Sequence, residues 1–176
     1  VKRLRPVEFD HFDYEQETYT RSLWVVEGLT AYYDDLLVAR SGIATHKEYL
    51  ERLSQQIDKL QNTPGRLAQP LSETSFDAWI KQYRRDENSN NTTVSYYLKG
   101  AVVGFLLDVE IRRASQGARS LDDALRLAWS RYSGARGYTQ EELRQVASET
   151  AGTDLSAWFA AAVDGTGDLD YAPALQ

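Results

Sequence analysis

The stretch Leu23-Trp-Val-Val-Glu-Gly-Leu-Thr-Ala-Tyr-Tyr-Asp34 sets a carboxylate, Glu27, in the most apolar part of a helical run. Among Trp24, Val25, Val26 and Leu29 that carboxylate must be ion-paired, hydrogen-bonded or metal-bound if the face is buried, because an isolated charge is not tolerated there. Gly28 beside it costs a helix up to about 1 kcal/mol relative to alanine, so a neighbouring group is expected to need the missing side chain's space. The plainer account of both residues is a buried salt bridge to an arginine plus a tight helix crossing. A second stretch, Val94-Ser-Tyr-Tyr-Leu-Lys-Gly-Ala101, puts Tyr97 at the start of a helix whose Gly100 and Gly104 permit close backbone approach. A phenol there can hydrogen-bond a developing oxyanion, an interaction whose removal costs roughly 10²- to 10³-fold in rate at comparable sites. The alternative is a core tyrosine with a satisfied hydroxyl.

Other chemistry is scarce. The chain has no cysteine, which excludes disulfides, thiolate ligands and cysteine nucleophiles, and only two histidines, His11 and His46, far apart. A zinc centre built wholly from this chain is therefore hard to assemble, since catalytic sites use three protein ligands. Asp122 with Asp123, and Glu141 with Glu142, resemble paired catalytic acids, but each pair falls in a first helical turn, where acids favour the helix dipole. Arg84-Arg85 and Arg112-Arg113 can bind phosphate or a peptide carboxylate, or simply face solvent. No glycine-rich phosphate loop and no G-x-S-x-G elbow occurs.

The elements that must position these residues are helical. Leu121, Ala124, Leu125, Ala128, Trp129 and Tyr132 share one face of a helix over 120–133. Leu143, Val146 and Ala147 mark another over 139–151, and Leu155, Trp158, Phe159, Ala162 and Val163 a third over 154–163. Thr139 with Glu142, and Thr45 with Glu48, have capping-box spacing, the latter ahead of Leu50, Leu53, Ile57 and Leu60. Long helices are expected from Arg21 to about Ser41, ended by Gly42, and from Val94 to Ser115, with Ala101, Val102, Phe105, Leu106 and Val109 inward. A shorter helix is expected near 74–83, a strand at most around 93–97, and a mobile polar loop over 86–91. Residues 164–176, with Gly165, Gly167, Pro173 and no period, read as a linker. The expected architecture is one all-α domain over 1–163.

The 176 residues suit one domain or a piece of a larger protein; 42% are hydrophobic and 26% charged, a globular composition. A formal charge of −6 repels phosphate backbones, so nucleic acid is not an expected partner. No apolar run approaches the roughly 20 residues of a membrane span, and no signal peptide is visible. The chain begins Val1-Lys-Arg-Leu-Arg-Pro6 without methionine, which suggests a fragment. The expected location is cytoplasmic, with the periplasm left open by that beginning.

Glu27-Gly-Leu-Thr-Ala-Tyr-Tyr-Asp34 with a downstream Tyr-x-Lys-Gly resembles the gluzincin metallopeptidases, and further segments resemble one branch, the glycyl aminopeptidase family. Those segments are Val1 to Pro6, Phe12-Asp-Tyr14, Leu23-Trp24, Ser75-Phe-Asp-Ala-Trp79, Asp86-Glu-Asn-Ser89 and Ser95-Tyr-Tyr97 with Lys99-Gly100. The resemblance implies the helical carboxy-terminal part of a thermolysin-like catalytic domain, with the tail leading to a PDZ-like domain. It implies Zn2+ as cofactor, a peptide substrate, and removal of amino-terminal glycine or another small residue. It matches Glu27 to the third zinc ligand, Tyr97 to the tyrosine that stabilises the tetrahedral intermediate, and Asp34 to an acid orienting a histidine ligand. The H-E-x-x-H motif that supplies two ligands and the general base is absent, so the chain alone is expected to hold no zinc and to hydrolyse nothing. A stand-alone helical interaction module that has lost the chemistry is the alternative. Loss of a neighbouring helix is expected to expose apolar surface around Trp24 and Tyr33 and to favour self-association.

Overall fold

The computed structural model describes residues 3–11 and 13–175; Val1, Lys2 and Phe12, part of the segments behind the resemblance, lie outside them. The first long helix opens at Trp24 with a wide π-type turn, Trp24–Gly28, in which the Leu29 amide donates to the Trp24 carbonyl, and continues as α1, Leu29–Arg40. Gly42 follows at φ +78°, a left-handed conformation that glycine adopts without a Cβ clash. Helix α2, His46–Gln61, starts on the capping box of Thr45 and Glu48. Proline at position 70 sets an earlier start than expected for the next helix, so α3 covers Leu71–Phe76 and a 3₁₀ turn covers Asp77–Trp79.

The polar segment 86–91 is closed rather than loose: the Asp86 carboxylate accepts from the Asn88 amide and the Ser89 hydroxyl, leading into the short α4, Ser89–Thr92. No strand forms over 93–97: Thr93 and Ser95 are extended, but Ser95 already caps α5, Tyr96–Ala114, by accepting the Leu98 amide. Helices α6, Leu121–Tyr132, and α7, Gln140–Ala151, begin on capping boxes made by Ser120 with Asp123 and Thr139 with Glu142. Each box satisfies amides that a helix start leaves unpaired, which accounts for two of the acids that resembled catalytic pairs. Helix α8 spans Ser156–Ala162.

Helix α5 is the hub. The π turn, α1, α2, α3, α6, α7 and the carboxy-terminal 3₁₀ turn Ala172–Leu175 all pack against it. Its inward set differs from the expected single face: Val103, Leu107 and Ile111 are fully buried beside Ala101, Val102 and Leu106, while Phe105 and Val109 are half-buried. A helix packed on most of its circumference has only a narrow partly open face, here Leu98, Phe105, Val109 and Arg112, so its apolar residues spread beyond a single stripe. Asp108 on α5 ties three helices, accepting from the Tyr32 hydroxyl at 3.0 Å, Arg112 Nε at 3.0 Å and the Leu121 amide at 2.7 Å.

Both ends of the described residues are strapped down. Arg5 donates to the carbonyls of Gly134 and Ala135, each at 2.8 Å, and pairs with Asp10, while the Val7 and Tyr138 amides link segments 5–7 and 134–138. At the other end Asp164 pairs with Arg144 and Asp168 with Arg66, and Leu169, Tyr171 and Ala174 pack on Leu60, Val94, Val102 and Leu106. Segment 164–175 lacks a period because it binds the surface as an irregular strap. Among the described residues no helix is long and apolar enough to cross a membrane.

Candidate functional site

The site rests on a contact between two backbones. A Cβ placed on Gly28 would lie 2.7 Å from the Gly100 Cα and 2.8 Å from the Tyr96 carbonyl oxygen, and one on Gly100 would lie 2.8 Å from the Gly28 Cα. The π turn and α5 therefore touch main chain to main chain, which explains a glycine next to Glu27. Gly104, by contrast, faces side-chain atoms of Leu29 and Tyr32. Because Glu27 adjoins Gly28 and Tyr97 lies one helical turn before Gly100, this crossing fixes both residues relative to each other.

They line the same cleft, about 400 Å³ in volume. Its wall is aromatic: Trp79 and Tyr83 come from the segment after α3, Tyr96 and Tyr97 from the start of α5, and Phe9 and Tyr14 from the amino-terminal segment. The Tyr96 hydroxyl is 2.7 Å from that of Tyr83, its ring stacks on Tyr97 with centroids 4.6 Å apart, and Trp79 Nε1 donates to the Thr18 carbonyl. Tyr96, 1% exposed, is thus the core tyrosine with a satisfied hydroxyl, and Tyr97, 38% exposed, is its open neighbour. Burial of the ring raises the Tyr97 pKa, and the negative charge of Glu27 adds to that rise. Glu27 is half-buried and makes no hydrogen bond or ion pair among the described residues. The tight crossing of the plainer account is present; its arginine is not.

Asp34 does not line this cleft. It is exposed at the edge of a separate apolar groove of about 490 Å³ formed with Val25, Val26, Leu29, Leu37, Leu125 and Trp129. The expectation of an exposed apolar face around Trp24 is corrected here: Trp24 is 1% exposed, packed in the main core with Leu29, Tyr96 and Phe159 rather than lining the groove. Tyr33 does border the groove, with its hydroxyl donated to Asp122 at 2.6 Å. His11 is almost fully exposed beside Asp10, and His46 is exposed at the start of α2. Among the described residues no three His, Cys, Asp or Glu side chains cluster to hold a metal ion. The Tyr83 to Tyr96 hydroxyl pair leaves one trace in the sequence, the spacing of Trp79 and Tyr83, four apart, whose rings lie 5.9 Å from each other.

Comparison with known proteins bears on this geometry. The model of the M61 glycyl aminopeptidase family matches residues 1–103, a span containing Glu27, Asp34 and Tyr97. A crystal structure of an aminopeptidase N family protein from Idiomarina loihiensis is similar at a TM-score of 0.93 and 32% identity, over 99% of this chain and 30% of that one. The chain thus spans under a third of that relative's length. No curated protein matches it. The all-helical domain corresponds to a helical part of an aminopeptidase-family structure. With more than half of its length matched by the family model, the chain belongs to the M61 glycyl aminopeptidase family.

Proposed function

We propose that the chain is the helical part of a zinc-dependent aminopeptidase that removes amino-terminal glycine or another small residue from peptides. One observation supports it above all: an unpaired carboxylate, Glu27, and a phenol, Tyr97, line one aromatic cleft across the Gly28 to Gly100 contact. The donor chemistry fits zinc in part, since a carboxylate oxygen is a normal ligand but three protein ligands are needed. Glu27 would be one of them; the other two and the general base would come from residues outside this chain, which alone would hydrolyse nothing. When bound, zinc would polarise the scissile carbonyl and acidify a water. Tyr97, its pKa raised, keeps its proton at neutral pH and donates a hydrogen bond to the carbonyl oxygen as negative charge builds there. Asp34, exposed and without an ion pair among the described residues, would accept the ring N–H of a histidine ligand and so orient it.

In the full-length enzyme Glu27→Ala should lose both zinc and nearly all turnover. Tyr97→Phe should keep zinc and lose roughly 10²- to 10³-fold in kcat. Metal content by atomic absorption and steady-state kinetics read the two effects separately. Equal zinc and equal rates in both variants would remove the assignment.

The apolar groove with Leu37 and Trp129 exposed supports the second reading, a helical interaction module, to the extent that such surface favours association. Sedimentation velocity of this chain should then show reversible self-association at high concentration; a clean monomer throughout would count against it.

A further inference from the structure

Tyr97 also lines a second groove, of about 500 Å³, on whose walls no aspartate or glutamate stands. Two cations do, Lys59 on α2 and Arg85 in the segment before α4. Lys59 makes no ion pair among the described residues, and Arg85 donates to the neutral amide oxygen of Asn90 at 2.7 Å. The start of α5 borders the same space. The Ser95 side chain takes the Leu98 amide and its carbonyl takes that of Lys99, which leaves the Tyr96 and Tyr97 amides at the positive end of a 19-residue helix. Thr93, 3% exposed, lines the groove with its hydroxyl unpartnered, and the Gln82 amide oxygen is also buried without a partner. Cations, helix start and an unused buried hydroxyl all suit an anion. The neighbouring cleft carries acids instead, and with Glu27 engaged by zinc Asp13 remains there to meet an ammonium, so the two sides of Tyr97 differ in charge preference.

A short peptide has matching polarity, with an ammonium at one end and a carboxylate at the other. Resting on the aminopeptidase reading, we propose that the groove of Lys59, Arg85 and Thr93 holds the terminal carboxylate of a short peptide substrate. Charge-assisted bonds from Arg85 and Lys59 hold it, and Thr93 and the first amides of α5 complete the donors. The enzyme would then prefer peptides short enough to bridge the two clefts.

The test is a ¹⁵N–¹H NMR titration of this chain with triglycine, triglycinamide and acetate. Triglycine should shift the amides of residues 93–98 saturably, with triglycinamide and acetate each at least about tenfold weaker. The surface double variant Arg85→Gln with Lys59→Gln should keep the folded spectrum and bind acid and amide peptides equally. Absence of shifts at 93–98, equal binding of the acid and amide forms by the unaltered chain, equal binding of acetate, or an acid preference that survives in the double variant would each overturn the proposal. None of these readouts involves metal or hydrolysis, so the result stands apart from the Glu27 and Tyr97 experiments.

Discussion

Gly28→Ala should lower the stability of this domain by about 2–3 kcal/mol, the upper range for overpacking, and its Tm by roughly 5–10 °C. Alanine is the better helix former by up to about 1 kcal/mol, so local propensity predicts the opposite sign. The added methyl would meet Gly100 Cα and the Tyr96 carbonyl, both main-chain atoms of the central helix, and neither can rotate away. Gly104→Ala provides the contrast: its closest contact is a terminal methyl of Leu29, which can move, and the Tyr32 Cβ at 3.3 Å requires only a small shift, so the substitution should cost much less than Gly28→Ala. Thermal denaturation of the two variants followed by circular dichroism checks the pair. Equal stability of Gly28→Ala and the unaltered chain would mean that the crossing is not a backbone contact. Under the proposed zinc-site reading, the same substitution in the full-length protein should also weaken metal binding, because parting the helices moves Glu27 relative to Tyr97.

Lys99 should make stability climb with pH. It is 2% exposed, its Nζ donates only to the Arg66 carbonyl at 3.5 Å, and no carboxylate pairs with it among the described residues. Burial, with the Arg66 guanidinium adding to it, lowers its pKa from 10.5 to about 8. Below about pH 8 both folded and unfolded chains carry the proton and the cost of burying the charge is constant. Between about 8 and 10 the unfolded chain holds more of the proton than the folded one, so stability rises, by at most about 1.4 kcal/mol per pH unit. Above about 10 the trend reverses, because burial raises the pKa values of Tyr32, Tyr33, Tyr96 and Tyr138 in the folded state while the unfolded tyrosines ionise. Lys99→Met should remove the climb and, at pH 7, add about 2–3 kcal/mol, somewhat less than the full shift because the hydrogen bond to Arg66 is lost. Urea unfolding at pH 7, 8, 9 and 10 measures both effects, and parallel curves for the two proteins would refute the assignment.

Capping boxes and amphipathic faces were legible in the sequence because they are local. Thr45 with Glu48, Thr139 with Glu142, and the stripe from Leu155 to Val163 each involve residues within one element, and the structure keeps them. Glu27 stood out for the same reason: a charge amid apolar neighbours, with a glycine beside it, is a local contradiction that something distant has to resolve. What resolves it was not readable. The partner of Gly28 is Gly100, 72 positions away, and only the packed structure shows that their backbones touch. Nor does periodicity distinguish Tyr96 from Tyr97: adjacent residues on a helix differ by 100°, and which one is buried depends on where Tyr83 lies. Asp108, joining Tyr32, Arg112 and Leu121, and the irregular strap of 164–175 escaped for a related reason, since contacts without a repeat leave no pattern along the chain. The sequence by itself determined the helices, their starts and the two residues whose chemistry is out of place. The tertiary structure alone decided that those two share a cleft, because that depends on how closely two helices can approach, and only side chains missing from both backbones at one crossing allow it.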